Sequence, residues 1–114
     1  TATSTVAENQ TLSNSMYIHS IPNNNDNQDI VSMGSNAALL TRRVINNSFE
    51  VLAIQMLTLL QAVDYLQCSN KMAGQTRKMY EEIRPLYPVF SDDQPPYKRL
   101  DRLKKHFENG SGLN

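Results

Sequence analysis

The sequence predicts an all-α fold, with one long central helix and shorter helices towards the C-terminus. A segment without Pro or Gly runs from residue 36 to residue 67, which is typical of a long helix. Two later segments have apolar residues at helical spacing and are bounded by Pro and Gly. The length of 114 residues fits a single domain, divided here into segments 1–35, 36–67 and 68–114.

The first segment, residues 1–35, is polar and rich in Asn, Ser and Thr. Residues 1–11 are predicted to form a short helix, and residues 16–21 a short extended piece. Pro22 and the Asn-rich run that follows predict a loop, because Asn and Asp side chains satisfy nearby backbone groups and compete with a helix. The segment has too few apolar residues to bury itself, so we expect it to be disordered or held against other protein.

The second segment, residues 36–67, is predicted to be one helix about 45 to 50 Å long, with Ser35 as its N-cap. Between Phe49 and Val63 every residue is apolar except Glu50, Gln55, Thr58 and Gln61. A helix that is apolar on most sides is buried on most sides. A membrane span is the competing account, but the uninterrupted apolar run is shorter than the roughly 18 residues that a span needs. The neighbours of this helix must come from other chains or from further sequence, which predicts a multi-subunit helical bundle with this helix in its core.

The third segment, residues 68–114, is predicted to hold two short helices and a flexible tail. The first helix covers residues 77–84, with Thr76 as its cap and with Pro85 and Pro88 ending it. Its inward-facing side chains are expected to be Met79, Tyr80, Ile83 and Leu86. A loop follows, and an Asp at 92 or 93 before two prolines predicts a helix over residues 96–108. That helix is expected to bury Tyr97, Leu100, Leu103 and Phe107.

Charge and cysteine usage disfavour several classes of function. Residues 1–70 carry two basic and five acidic side chains, and residues 71–114 carry nine and six, so the net charge is zero. No global field attracts nucleic acid or anionic lipid, and the basic cluster on the last helix is interpreted as a solvated face. Cys68 has no partner for a disulfide and is expected to be an inert, partly buried thiol. These features predict a reducing compartment, the cytoplasm. The start at Thr1 predicts a piece of a longer protein.

Few residues suggest chemistry. His19 and His106 are far apart and have no partner at metal-ligand spacing, and no Gly-rich phosphate loop is present, so we expect no metal site. The loop before the long helix differs, because it brings together several amides, among them Asn24, Asn27 and Gln28. Amides supply directional hydrogen bonds without a fixed charge and suit a carboxylate or an amine. The alternative is a loop held by its own Asx turns.

The order of residues from Ser20 to Gln67 resembles the C-terminal part of the aromatic amino-acid ammonia-lyases. The resemblance is carried by Ser20-Ile21-Pro22, by the block Asp26-Asn27-Gln28-Asp29-Ile30-Val31-Ser32-Met33-Gly34, by Ala37-Ala38, and by Leu52-Ala53-Ile54-Gln55-Met56-Leu57. The later residues Thr76-Arg77, Tyr80, Ile83-Arg84, Asp92-Asp93 and Pro96 are similar to the terminal helices of that family. The family includes histidine, phenylalanine and tyrosine lyases and related aminomutases.

The resemblance implies a mostly helical homotetramer whose active sites combine residues of several subunits. It implies elimination of ammonia from histidine, tyrosine or phenylalanine to give the α,β-unsaturated acid, with a methylidene-imidazolone group formed from an Ala-Ser-Gly tripeptide. That tripeptide does not occur in these 114 residues, so the chain alone is expected to be inactive. Gln28 matches a site residue of the family motif, Asn24 a polar position lining the site, and Asn27 a residue that helps to hold the substrate carboxylate.

The resemblance also bears on the substrate. The position of Gln28 is usually a glutamate in histidine lyases, where a carboxylate suits a basic imidazole. A glutamine suits a neutral phenyl or phenol ring, which favours tyrosine or phenylalanine, or a tyrosine 2,3-aminomutase. Val31 and Met33, in contrast, are closer to the histidine-lyase version of the motif. Outside the family, the remaining alternative is a short helical protein whose apolar helix binds a partner without catalysis.

Overall fold

The computed structural model describes residues 1–19, 33–91 and 96–110. Four α-helices are present in this part of the chain: α1 (Ala2–Leu12), α2 (Gly34–Tyr65), α3 (Gly74–Ile83) and α4 (Tyr97–Glu108). Short 3-10 turns cover Met16–Ile18, Ser69–Lys71 and Arg84–Leu86. Since these described residues contain no strand, the predicted all-α fold class is confirmed.

The chain forms two compact units, residues 1–48 and residues 49–114, and α2 contributes to both. In the first unit, polar contacts join α1 to α2. The Asn47 amide donates to Glu8 Oε2 at 3.3 Å and to Asn9 Oδ1 at 2.9 Å, and Arg43 pairs with Glu8. Thr5 is the buried residue of α1, and its hydroxyl donates to the Thr1 carbonyl at 3.2 Å.

The second unit contains the hydrophobic core. Six side chains are buried there: Ala53, Leu57, Leu60, Ile83, Tyr87 and Leu103. Partly buried apolar residues pack around them: Met56, Met79, Tyr80, Leu100 and Phe107. The α2 residues in the core are spaced by four and three, which places them on one face of the helix. That face meets side chains from α3, from the turn after it, and from α4.

Two predicted helix starts are wrong. α2 begins at Gly34, and the Met33 carbonyl accepts the N–H of Ala37 at 2.9 Å, so Ser35 lies inside the first turn and does not cap it. α3 begins at Gly74 after an extended Ala73, whose carbonyl accepts the N–H of Arg77 at 2.9 Å. In both cases a glycine occupies the first turn.

Three smaller expectations are also corrected. Leu86 is 53% exposed and Tyr97 is 64% exposed, whereas both were expected inside. Leu86 falls in the 3-10 turn Arg84–Leu86, which rotates it out of the α3 register. Tyr97 is the first residue of α4 and lies beyond the core contacts of that helix. Met16–Ile18 forms a 3-10 turn in place of the predicted extended piece.

α2 ends in a Schellman motif built around a glutamine. The Cys68 N–H donates to the Val63 carbonyl at 3.2 Å, and the Gln67 N–H donates to the Asp64 carbonyl at 3.1 Å. Gln67 has a φ of 49°, which is a left-handed conformation that glycine usually adopts. Among the described residues it is the only non-glycine residue with positive φ. The motif reverses the chain and directs it towards α3.

Candidate functional site

The three amides predicted to bind substrate, Asn24, Asn27 and Gln28, lie outside the described residues. The residues that border their segment are described. His19, before it, is exposed, and Met33, after it, is half-buried at the start of α2. Asn36 lies in the first turn of α2, and its amide approaches the Met33 sulfur at 3.8 Å. The segment that carries the predicted site therefore leads directly into a rigid helix.

A groove in the first unit lies close in sequence to this segment. It has a volume of about 440 Å³ and is bounded by the end of α1, residues 13–16 and the first turns of α2. Its walls combine polar groups, such as Asn9 and Asn14, with aliphatic ones, such as Leu40 and Val44. A groove with this mixed lining suits a polypeptide segment or a ligand that has both polar and apolar parts.

A polar network in the second unit was not predicted from the sequence. Asp64 on α2 accepts a hydrogen bond from the Tyr80 hydroxyl and forms an ion pair with Arg84. The Arg84 guanidinium also donates to the Tyr87 carbonyl at 2.8 Å. The side chains of Arg84 and Asp64 are only 13% and 21% exposed, so the pair is poorly hydrated.

The sequence does carry a signal for this network. Asp64 follows Leu57 and Leu60 at helical spacing, so it continues the buried face of α2. A carboxylate on a buried face requires partners, and Tyr80 and Arg84 occupy one face of the following helix and turn. The hydrogen bond to Asp64 raises the pKa of Tyr80, with burial as the second cause. Tyr80 therefore keeps its proton to higher pH than a free phenol, and the network fixes α2 to α3.

The remaining candidate side chains, Cys68 and His106, both lie in the second unit. Cys68 is half-buried, and its sulfur lies 3.9 Å from the Val63 carbonyl. His106 lies 3.6 Å from a Glu82 carboxylate oxygen, with its ring edge-on to Phe107. In the described ranges no cluster of His, Cys, Asp or Glu is arranged to hold a metal ion. No described helix is both long and apolar enough to cross a membrane.

On α4, acidic neighbours partly neutralise the basic side chains. Lys105 Nζ lies 2.9 Å from the Asp101 carboxylate, and this hydrogen bond raises the pKa of Lys105. Lys104 Nζ lies 3.9 Å from Glu108. Arg99 lies over the Phe90 ring, 5.5 Å from its centroid. This pattern agrees with the solvated face that the sequence predicts for the helix.

Comparison with known proteins gives one consistent result. Residues 1–85 match the family described as aromatic amino acid lyase. A histidine ammonia-lyase of Natranaerobius thermophilus is 38% identical over 110 residues, which are 96% of this chain and 22% of the relative. A tyrosine ammonia-lyase of Cupriavidus metallidurans is 37% identical over 93 residues, 82% of this chain and 17% of the relative.

A third relative is named for a different reaction. It is an MIO-dependent tyrosine 2,3-aminomutase of Streptomyces globisporus, 39% identical over 93 residues, 82% of this chain and 17% of the relative. The chain thus spans about a fifth of the length of the curated relatives it matches. No solved structure matches the chain.

Proposed function

Because the chain belongs to the aromatic amino acid lyase family, we propose that it is the C-terminal part of an ammonia-lyase acting on an aromatic amino acid. The reaction breaks the bond between Cα and the amine, removes a proton from Cβ, and gives ammonia and the α,β-unsaturated acid. The family match over residues 1–85 is the observation that carries the proposal. Two relatives named as histidine and tyrosine ammonia-lyases support the carbon–nitrogen lyase class.

In this proposal the chain binds and orients the substrate. Asn27 donates its amide N–H groups to the substrate carboxylate, and Asn24 lines the same site. Gln28 lies near the aromatic ring, where an amide tolerates a neutral ring better than a cationic imidazole. We therefore place tyrosine or phenylalanine ahead of histidine as the substrate.

The prosthetic group proposed for the complete enzyme is a methylidene-imidazolone. When bound, it supplies an electrophile for the amino acid. Its precursor tripeptide Ala-Ser-Gly does not occur in the 114 residues, so this chain does not form the group. We propose no metal. The chain alone is expected to have no lyase activity.

The proposed partners are the remaining part of the same enzyme and other subunits of a homotetramer in the cytoplasm. The exposed leucines of α2 support this, because Leu52 and Leu59 are 51% and 52% exposed on a helix that has few charges. Nucleic acid and membranes are not among the proposed partners.

A chimera tests the proposal. This chain would replace the matching 110 residues of the Natranaerobius thermophilus relative, which supplies the other four-fifths of a lyase. Purified chimera would be assayed with tyrosine, phenylalanine and histidine, with the unsaturated acid followed by absorbance. We expect turnover of at least one of them. A folded, assembled chimera that is inactive on all three would contradict the proposal.

Variants at Gln28 test the substrate-binding role within the active chimera. Gln28→Ala should lower kcat/KM about 10-fold or more, on the scale of a directional hydrogen bond next to a charged substrate. Gln28→Glu should shift the preference towards histidine. Gln75→Ala is the matched control, because Gln75 is exposed on α3. Equal kinetics for Gln28→Ala and Gln75→Ala would remove Gln28 from the site.

A second candidate function is tyrosine 2,3-aminomutation, favoured by the 39% identity to the Streptomyces globisporus aminomutase. In that reaction the eliminated ammonia adds back at Cβ, so the product is β-tyrosine. Chromatography of the products from tyrosine distinguishes the two reactions, since a lyase accumulates the unsaturated acid and free ammonia.

A further inference from the structure

The C-terminal end of α4 carries the one Asn-Gly pair of the sequence, Asn109-Gly110. Both residues are exposed, and Asn109 is the residue that follows the helix. Every other asparagine that has a following residue is followed by one with a Cβ, and this Cβ crowds the backbone nitrogen next to the asparagine. Glycine leaves that nitrogen open, so in Asn-Gly it can attack the side-chain amide.

The end of α4 holds the two reacting groups apart. The Asn109 N–H donates to the Lys105 carbonyl at 3.1 Å, and the Gly110 N–H donates to the Phe107 carbonyl at 3.0 Å. With ψ of 4° at Asn109, the Gly110 nitrogen eclipses the backbone nitrogen of Asn109 and not its Cβ. Attack on the side chain needs close, aligned atoms, so the backbone must first rotate and the last turn must open.

Opening of this helix end should be frequent. The last carbonyls of a helix have no partner within the helix, and helix ends are its least stable part. α4 is anchored by Leu103, which is fully buried, whereas Asn109 and Gly110 are exposed. A Cβ at Gly110 would meet no atom of the described residues within 4 Å. Water and hydroxide therefore have access to the pair.

We propose that Asn109 is a site of self-modification, where deamidation proceeds at a rate set by the opening of the last turn of α4. The Gly110 nitrogen gives its proton to hydroxide and forms a bond to Asn109 Cγ. The bond from Cγ to Nδ2 breaks, and the leaving amide takes a proton from water and departs as ammonia. Water then opens the cyclic imide at one of its two carbonyls, which gives aspartate or isoaspartate. The inference does not depend on the proposed lyase reaction.

Both products place a negative charge at the unfavourable end of α4. The carbonyls at the C-terminal end of a helix carry partial negative charge, so an anion there is destabilising. The two lysines of this region already have carboxylate partners. Lys105 Nζ lies 2.9 Å from Asp101, and Lys104 Nζ lies 3.9 Å from Glu108. The new carboxylate therefore adds repulsion to the helix end.

Isoaspartate has a further effect, because its backbone passes through Cβ and is one methylene longer. The Gly110 N–H is then displaced from the Phe107 carbonyl that it contacts in the unmodified chain. Phe107 packs against the core, and His106 lies 3.6 Å from Glu82 of α3. Modification at Asn109 should therefore loosen the last turn of α4 and its contacts with α3.

The rate of deamidation tests the site. The 114-residue chain would be kept at mildly alkaline pH and sampled over time. Trypsin cleaves after Lys105 and releases residues 106–114, which contain Asn109. Chromatography with mass detection separates the asparagine, aspartate and isoaspartate forms of this peptide. Synthetic peptide 106–114 gives the rate without a helix. Asn109→Gln is the matched control, because the larger ring that glutamine would form closes far more slowly.

We expect product at Asn109 in the chain, formed at least about 3-fold more slowly than in the free peptide. Urea should raise the rate in the chain to that of the peptide. A rate that equals the peptide rate without urea would overturn control by the last turn. Unmodified Asn109 after about 50 half-lives of the peptide would overturn the site itself.

A permanent charge tests the effect on α4. Asn109→Asp carries the aspartate product from the start, and Asn109→Gln is its neutral control. Hydrogen exchange of the backbone amides of residues 109 and 110 would be compared with exchange in the matching free peptides. After that correction, the amides should exchange about 2-fold to 5-fold faster in the aspartate variant, because the charge opposes the helix dipole. Equal exchange in the two variants would overturn the predicted loosening.

Discussion

Gln67 has a left-handed backbone conformation that is unfavourable for a residue with a Cβ. Its left-handed φ of 49° costs a side chain with a Cβ about 1 kcal/mol or more, and glycine avoids that cost. We predict that Gln67→Gly raises the free energy of unfolding by about 0.5 to 1 kcal/mol, measured by urea denaturation. Gln67→Ala is the control, because alanine retains the Cβ and should give no such gain. A loss of stability in the glycine variant would contradict the prediction.

Asp64 joins α2 to two partners, so its removal should have a large effect. Asp64→Ala leaves the Arg84 guanidinium, whose side chain is 13% exposed, without its carboxylate. We predict a loss of about 2 to 3 kcal/mol in the free energy of unfolding. Asp101→Ala on α4 breaks the pair with Lys105, in which both side chains are more than half exposed. The cost there should be much smaller, because water screens an exposed pair. Similar losses in the two variants would refute this role for Asp64.

Leucines on the two faces of α2 should contribute differently to the fold. Leu57 is 8% exposed in the core, whereas Leu59, two residues later, is 52% exposed. Leu57→Ala removes buried methyl groups and leaves a cavity, so we predict a loss of about 2 to 4 kcal/mol in the free energy of unfolding. Leu59→Ala should cost less than about 1 kcal/mol in dilute solution. Urea denaturation of both variants at low protein concentration checks the contrast.

The helices were predictable from the sequence because their signals are long and redundant. The run from residue 36 to 67 without Pro or Gly defined α2, and apolar spacing defined α3 and α4. The first residues of the helices were less predictable. Ser35 and Thr76 are residue types that often cap helices. Both helices nevertheless begin earlier in the chain, at Gly34 and Gly74. The position of a helix cap depends on the local backbone conformation, and the type of one residue does not determine that conformation.

At the scale of the whole molecule, alkaline pH should destabilise the second unit. Burial raises the pKa of Tyr87, and the hydrogen bond to Asp64 raises the pKa of Tyr80. In the unfolded chain both phenols lose their protons near pH 10. The folded state holds these protons longer, so its stabilising contribution is complete below about pH 10 and is lost as the pH rises through the folded pKa values.

We predict that the free energy of unfolding falls as the pH rises above about 10, and that Tyr87→Phe reduces the slope of that fall. Urea denaturation at a series of pH values measures the free energy of unfolding and its slope against pH. An equal slope in the variant and the parent chain would show that Tyr87 does not contribute.

The amides predicted to bind substrate illustrate what residue chemistry alone can predict. Asn24, Asn27 and Gln28 suggested a carboxylate or an amine because amides both donate and accept hydrogen bonds. Only the resemblance to a family gave each of them a role, since many loops are amide-rich. The network around Asp64 was not predicted, because nothing in the type or order of its residues marks them as a group. Its members are ordinary residues separated along the chain, and they become a unit only when α2 and α3 are packed together.

The polar contacts that join α1 to α2 have a consequence for the amides of residues 20–32. Asn47 and Arg43 hold the helices on either side of that segment within one compact unit. The described residues that border the segment, His19 and Met33, belong to this unit, so we expect the entropy cost of bringing them together to be met when the unit folds. In the proposed enzyme we therefore expect Asn47 to influence substrate affinity, although its own side chain faces Glu8 and Asn9.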